Sequence, residues 1–550
     1  MTKKQLSKNE IIKENSQLLR GNLTASLRDE ITNSISNDDQ QVIKFHGSYQ
    51  QDDRDRRAER EEKFLEPLYS FMIRLRIPGG EITNIQWQDI NEISQKYSNG
   101  NLKITTRETL QLHGLIKADL KNSIIEFSKS QLDSIAACGD VNRNVLATSH
   151  PAQNAAEEEV FGYAKKISEA FLPHTNAYHE IWLNAEKISP ETEKEKIYGP
   201  TYLPRKFKIA IATPPYNDTD IFANDVGLIA IIENKQLLGF NLLAGGGMGM
   251  THGDKNTYPR LASNLGYVAK ADIIKIITAI ITTQRNYGDR SNRKQARLKY
   301  TIDRHGLDWF INQIEKRSDI ILQESKNYQF KHRTDFSDFA TDYRGKYSYS
   351  LFVENGVIKY QSNLLNFLNE IAKFKDIKFR FTSNQNLIIS NLSEQQKISL
   401  ETLMQEYKIN NNSPSQLRKA SQACVALNTC PLALAEGQRY LPSLIDKIEE
   451  IIKELNLADQ AITIRMTGCP NGCARPYLAE IGLIGKSYGR YNLHIGGDHL
   501  GQRLNQLYLE NLDEEAILSN IRDLLSKYKQ NSNIDESFGD FTNHYILKNE

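Results

Sequence analysis

The chain repeats itself. The stretch from Arg76 to Leu115 ("RIPGGEIT" through "INEISQKYSNGNLKITTRETLQLHGL") is matched by Phe352 to Leu392 ("FVENGVIK" through "LNEIAKFKDIKFRFTSNQNLIISNL"). Each reads as strand, glycine turn, strand, a helix carrying Asn-Glu-Ile, and a further strand pair around a threonine. A second likeness follows each: "NDVGLIAIIENKQLLGFNLLAGGG" (Asn224 to Gly247) and "AEIGLIGKSYGRYNLHIGG" (Ala479 to Gly497). Either match alone is weak enough to be chance; their shared order, A–B–A′–B′, argues against it. The expected fold is α+β and multi-domain, built of duplicated α/β units about a pseudo-two-fold axis. At 550 residues the chain is too long for one core.

The copies differ in chemistry. Where the first A unit has Arg107 and Gln111, the second has Asn384 and Ile388. Where one B unit is preceded by Pro214-Pro215, the other has Cys469-Pro470. One copy keeps cations and the other keeps thiols, which points to a site between the halves with a basic side and a sulfur side.

Five cysteines in the whole chain, an odd and sparse set, indicate a reducing compartment and no disulfide framework. Basic and acidic residues balance, 69 against 68, so no global field for nucleic acid or a membrane surface follows. The N-terminus lacks an apolar signal core, and no apolar run is long enough to span a bilayer, so a cytoplasmic protein is expected. Residues 1–65 are polar and include the charged "QQDDRDRRAEREEKF". They read as a solvated surface face or, more sharply, as a partner-docking arm. Globular patterning is expected from Leu65, with units at 66–135, 136–345, 346–420 and 421–550.

Four of the cysteines form the pattern C-x5-C (Cys424, Cys430) and C-x3-C (Cys469, Cys473). Cys430 and Cys469 precede prolines, which favour the first helical position; each cysteine is therefore expected near a helix N-cap, where the dipole favours a thiolate. If a helical turn forms, Cys469 and Cys473 share a face, and Gly472 lets something bulky approach. A four-iron cluster suits four cysteines at wide spacing, whereas C-x5-C is off-pattern for zinc. Zinc and unliganded buried thiols remain the alternatives. Asn471 is either a hydrogen-bond donor near a cluster or a plain turn residue. Cys138, in "AACGDVNR", has no partner at ligand spacing and reads as a small buried residue.

The basic candidates are less specific. Lys206 and Lys208, in "RKFK", share a strand face opposite Arg205 and Phe207, or are ordinary strand-edge lysines. Arg143, in "VNRNV", is on spacing alone a surface arginine. Arg74 and Arg76 alternate along one strand face. Lys103, Arg107 and Gln111 share a face if "LKITTRETLQ" is extended.

"TGCPNGC" with an upstream "CxxxxxCP" resembles the siroheme-dependent sulfite and nitrite reductases. "FHGSYQQDDRD", "RLRIPGGEIT", "TTRETLQLHG", "GDVNRNVLATS", "TYLPRKFK", "NLLAGGG" and "FGDFT" extend the resemblance along nearly the whole chain, toward the haemoprotein (beta) subunits of assimilatory NADPH-dependent sulfite reductase. The resemblance implies ferredoxin-like half-domains at 66–135 and 346–420 and siroheme-binding repeats at 136–345 and 421–550. It implies a [4Fe-4S] cluster on Cys424, Cys430, Cys469 and Cys473, with Cys473 also the axial ligand of the siroheme iron. Arg74, Arg143, Lys206 and Lys208 would grip sulfite and help protonate it. Lys103, Arg107, Gln111 and Arg205 would neutralise siroheme carboxylates, with Asn471 beside the cluster. The implied reaction is the six-electron reduction of sulfite to sulfide, in sulfate assimilation and cysteine biosynthesis. "AGGGMGM" lacks the context of a dinucleotide loop, so NADPH, FAD and FMN would belong to a flavoprotein (alpha) subunit. A siroheme nitrite reductase, a ferredoxin-dependent sulfite reductase and a non-catalytic cluster or zinc protein are the other readings.

Overall fold

The computed structural model describes residues 5–336, 338–409 and 414–548. Its frame is four five-stranded sheets in two matched pairs. One antiparallel sheet runs Ser48–Asp52, Tyr69–Arg74, Leu110–Leu115, Leu102–Ile104, Val357–Ile358; its counterpart runs Phe339–Thr341, Tyr347–Leu351, Leu387–Leu392, Lys378–Phe381, Glu81–Thr83. Each takes its last strand from the other copy. Val357 pairs with Lys103, and Thr83 pairs with Lys378. Thr83 also caps the next helix, Asn84–Tyr97: its hydroxyl accepts from the Gln86 amide at 3.1 Å, and the Gln86 side chain accepts from the Thr83 amide.

The other two sheets are mixed. Leu146–Ala147, Ile209–Ala212 and Val226–Glu233 run parallel, then Gln236–Ala244 and Ser263–Ala269 turn back antiparallel. Gln422–Ala423, Ile464–Thr467, Ile481–Ser487, Arg490–Ile495 and Gln506–Leu512 repeat the plan. Ile209–Ala212 and most of Val226–Glu233 read as apolar runs because both faces are buried; Ile464–Thr467 is equally buried but carries Arg465 and Thr467. Helix Leu441–Glu454 covers the second of these sheets with Leu444, Ile445, Ile448 and Ile452, an i, i+3/i+4 stripe.

Register makes the repeat quantitative. The pairs Ile104–Leu110 and Phe381–Leu387 close equivalent hairpins, so Arg107 matches Asn384 and Gln111 matches Ile388. The pairs Ala212–Ile229 and Thr467–Ile484 put Pro214 opposite Cys469, Asp218 opposite Cys473 and Asp220 opposite Arg475. The equivalence reaches single hydrogen bonds: the Lys208 amide donates to Asp225 at 3.0 Å, and the Thr463 amide to Glu480 at 2.9 Å.

Two expectations are corrected. Ordered packing starts well before Leu65: Leu19, Leu23, Ile43 and Phe45 are core residues, Lys13 is buried against Glu10 and Asp140, and Ser48–Asp52 is a sheet strand. The charges of this segment hid the apolar positions between them. "LKITTRETLQ" is a hairpin rather than one extended run, with its turn at Thr105–Thr109. Lys103 and Gln111 still share a face, as cross-strand partners, but Arg107 stands on the turn.

Where the halves meet, Asp220 accepts from Arg333 Nε at 2.7 Å, Arg465 Nη1 at 2.6 Å and Arg475 Nε, all buried. Arg475 also donates to the Thr106 and Ser383 carbonyls, both at 2.9 Å. Burial opposes the Asp220 charge, but Arg333, Arg465 and Arg475 hold its carboxyl far below the usual carboxylate range. Asp220→Ala would strand three buried guanidinium groups; a stability loss of about 3–5 kcal/mol is expected, read as a lower denaturation midpoint. An unchanged midpoint would contradict this accounting.

A candidate site where thiols meet cations

The basic side is built on the first copy. Arg74 ends the strand Tyr69–Arg74 and donates from Nη1 to Cys138 Sγ at 3.0 Å. The Gln111 amide oxygen, turned toward it, accepts from Arg74 Nε at 3.0 Å. Arg76 is spent elsewhere, pairing with Asp133 through Nε at 2.9 Å. The Tyr49 hydroxyl reaches both Cys138 and Arg143, and burial with the Cys138 charge pushes its pKa up. Arg143 donates from Nε and Nη2 to the Gly139 carbonyl; burial opposes its charge, but Tyr49 and Cys138 hold its pKa up.

Residues 205–208 lead irregularly into Ile209–Ala212, yet side chains still alternate. Phe207 is buried and bridges Asn142, while Lys206 and Lys208 both feel the charge of Cys473. Burial drives both lysines well below the ordinary lysine pKa. Neighbouring cations add to this, led by Arg205 for Lys206 and by Lys206 for Lys208. Arg205 itself is drawn down to about 10 by burial and Arg293.

The sulfur side comes from the second copy. Cys424 follows the strand Gln422–Ala423, and its sulfur lies 3.4 Å from Thr467 Oγ1 and 3.4 Å from the Gly468 amide. Asn471 Nδ2 donates to Cys469 Sγ at 3.6 Å. Cys424 and Cys430 pack against one small apolar cluster, and the Gly468 contact sets Cys424 against the segment bearing Cys469 and Cys473; burial first, then Cys473, raises the pKa of Cys424, Cys430 and Cys469. Among the described residues, no three Cys, His, Asp or Glu side chains draw together as they would around a single metal ion. The helix N-caps expected at Cys430 and Cys469 do not form; both stand at turns, and Gly472 has φ +62°. Cys424, Cys430 and Cys469 are accordingly not acidified. Burial, followed by the neighbouring sulfurs, pushes Cys424 to about 11 and Cys469 to about 12. A bound cation is what would hold them as thiolates.

The Thr105–Thr109 turn joins the two sides. Thr106 Oγ1 donates to the Cys473 carbonyl at 3.1 Å. Arg107 points the other way, to Asn224 Oδ1 at 2.7 Å, the Ile209 carbonyl at 3.1 Å and the Asn144 carbonyl. Only its buried Nε lacks a protein partner, and burial draws its pKa down to about 9. Lys103 donates to the Asn355 carbonyl and lies within the field of Cys424; burial lowers it to about 7. These two are therefore less free to meet a macrocycle than an exposed strand face would make them.

Sequence reasoning missed three contributors. Cys138 is buried as expected but lines the basic pocket, which its spacing from other cysteines concealed. Tyr49 stands in a segment read as surface. Arg54, from the same segment, locks the first cysteine loop: its Nη1 donates to the Cys430 and Ala433 carbonyls at 2.9 and 2.8 Å.

Comparison with known proteins agrees with this architecture. The family described as "Nitrite and sulphite reductase 4Fe-4S domain" matches residues 162–322, and "Nitrite/Sulfite reductase ferredoxin-like half domain" matches 66–127 and 342–407. The 4Fe-4S match falls on the copy without the thiols, the one bearing Lys206 and Lys208. A Leptospira biflexa serovar Patoc protein named "Sulfite reductase [NADPH] hemoprotein beta-component" is 52% identical over 545 residues, covering 98% of each chain. One of the same name from Bacillus pumilus is 51% identical over 537 residues, covering 97% of this chain and 94% of that one. The structure of Mycobacterium tuberculosis NirA protein superposes with a TM-score of 0.80 at 22% identity, over 98% of this chain and 96% of that one, a likeness of fold. Similarity this high along almost its full length places the chain in the nitrite and sulphite reductase family.

Proposed function

We propose that this chain is the haemoprotein component of an assimilatory sulfite reductase, carrying out the six-electron reduction of sulfite to sulfide. One observation carries the reading: the two cysteine segments meet where the Gly468 amide reaches Cys424 Sγ at 3.4 Å, and the Thr105–Thr109 turn joins them to the cation side through Thr106 Oγ1 and the Cys473 carbonyl at 3.1 Å. The donor set fits a [4Fe-4S] cluster on Cys424, Cys430, Cys469 and Cys473, because four cysteines with a five-residue gap in the first pair suit a larger inorganic core better than zinc. Cys473 is exposed where Cys469 is buried, which suits a second bond to siroheme iron. Bound together, the two groups supply stored electrons next to the substrate.

The chain's own residues bind and protonate. Arg74 and Arg143 present guanidinium groups that match sulfite oxygens. Lys206 and Lys208 hold their protons loosely among other cations; a dianion between them reverses that repulsion, and each can then pass a proton to a departing oxygen. Arg205, Gln111 and the unpaired Nε of Arg107 are the groups left to meet siroheme carboxylates, with Lys103 and Asn471 on the cluster side.

Electrons come from an NADPH-dependent flavoprotein carrying FAD and FMN. The glycine run of this chain is no phosphate cradle, since the Gly245, Gly246 and Gly247 amides donate to Asp225, Asn224 and Arg260 carbonyls. The N-terminal segment carries the docking contact: Phe64 is 98% exposed, and Leu65 and Leu68 stand beside it. Phe64→Ser is expected to lower NADPH-driven turnover at least about tenfold while reduced-dye-driven turnover stays level. Equal effects on both would remove the docking assignment.

The overall reading is tested by a visible spectrum with iron and acid-labile sulfide counts, followed by kcat/KM for sulfite and nitrite. A chlorin-type red band, a four-iron complement and preference for sulfite are expected. A colourless zinc protein, or preference for nitrite, would overturn it.

A further inference from the structure

Lys299 is buried completely, with 0% of its surface exposed, and it lies in the first turn of the helix Leu298–His305. A cation is doubly disfavoured there, by loss of water and by the positive end of the helix dipole. Among the described residues, no carboxylate comes within ion-pair distance of it. Its ammonium instead donates to three backbone carbonyls: Gly247 at 3.0 Å, Gly249 at 2.9 Å and Tyr258. The Tyr300 ring lies 4.8 Å from the same nitrogen. Two of these carbonyls belong to the glycine run, which is gathered around the lysine.

The far side of the run rests on the second cysteine pair. The Met250 amide donates to the Pro470 carbonyl at 2.9 Å, one residue past Cys469. A Cβ on Gly472 would lie 3.1 Å from the Met248 carbonyl, and one on Gly249 would lie 3.3 Å from the Asn471 carbonyl. Backbone therefore meets backbone at Pro470, Asn471 and Gly472, the three residues between Cys469 and Cys473. At the N-cap of this helix, Arg297 pairs with Asp225 at 2.8 Å, and Asp225 receives the Lys208 amide. Arg297 and Lys299 thus tie the lysine-bearing strand and the cysteine turn to one rigid helix end.

We propose that Lys299 is a positioning residue: it braces residues 247–250 against the turn between Cys469 and Cys473 and so fixes that thiol pair relative to Lys206 and Lys208. It touches neither thiol nor substrate and acts only through the glycine run. The inference rests on the cofactor reading for its purpose but not for its test.

The test compares wild type with Lys299→Met, which keeps the side chain's length and removes its three donors. In the full chain freed of metal by a chelator, alkylation of each cysteine by iodoacetamide is followed by peptide mass. Cys469, only 7% exposed, is expected to react about tenfold faster in the variant, with Cys424 and Cys430 unchanged. No change at Cys469, or an equal acceleration of all four, would overturn the proposal. If Lys299→Met does not fold, Gly472→Ala disturbs the same contact from the opposite side and is expected to give the same selective gain; loss of selectivity there also overturns it. Iron and sulfide content, measured in parallel on the purified holoprotein, separates the two claims. A wild type without iron defeats the cofactor reading and leaves the labelling result standing.

Discussion

Cys473→Ser is expected to abolish sulfite turnover, with kcat falling on the order of a thousandfold, or about 4 kcal/mol of barrier. The thiols divide by surroundings. Cys469 is buried and Cys424 and Cys430 are partly so, whereas Cys473 is exposed and is the thiol whose field reaches Lys206 and Lys208. On the proposed ligation, loss of any of the other three would threaten the cluster alone, whereas loss of Cys473 would also remove the link to the pocket. The measurement is dye-driven sulfite reduction beside iron and sulfide counts. A serine variant turning over at the wild-type rate would end the bridging assignment.

Lys206→Ala and Lys208→Ala should each lower kcat by about a hundredfold to a thousandfold, the scale for removing one preorganised donor from a site of developing charge. Both should keep their cofactors. Cofactor loss would make them macrocycle ligands instead. The two are not independent. After burial, Lys206 is the largest influence depressing Lys208. Like charge disfavours the protonated form, so removing Lys206 lets the Lys208 pKa rise. The alkaline limb of kcat/KM against pH should then move to higher pH in Lys206→Ala, relative to a variant outside the pocket. A limb that stays put would mean the two ammonium groups do not face each other in the working enzyme.

Much of this was readable from the chain because the duplication is long and register propagates. Once Ala212 and Thr467 pair equivalently, the match of Pro214 to Cys469 follows from the pleat. What was not readable has local causes. Val357–Ile358 and Glu81–Thr83 are too short to announce which sheet they join, and tertiary pairing decides it. The proline after Cys469 suggested a helix start, but a positive φ at Gly472 and again at Arg475 turns the chain before a helix can form. Arg74 could not be told from Arg76 by alternation; Asp133, distant in sequence, removes Arg76 from contention. The choice of pocket cations came from resemblance to a family, since lysines and arginines at strand spacing are common on any surface.

Asp220 and Arg475 occupy the same place in the two copies, both in left-handed backbone conformation, and bind each other. Two identical subunits meeting about a true dyad would set acid against acid or base against base there. That handshake between unlike partners requires two separately encoded copies, each free to mutate without the other. Neither half expressed alone should therefore mimic the parent by self-association, whereas the two expressed together retain the complementary charges needed to find each other.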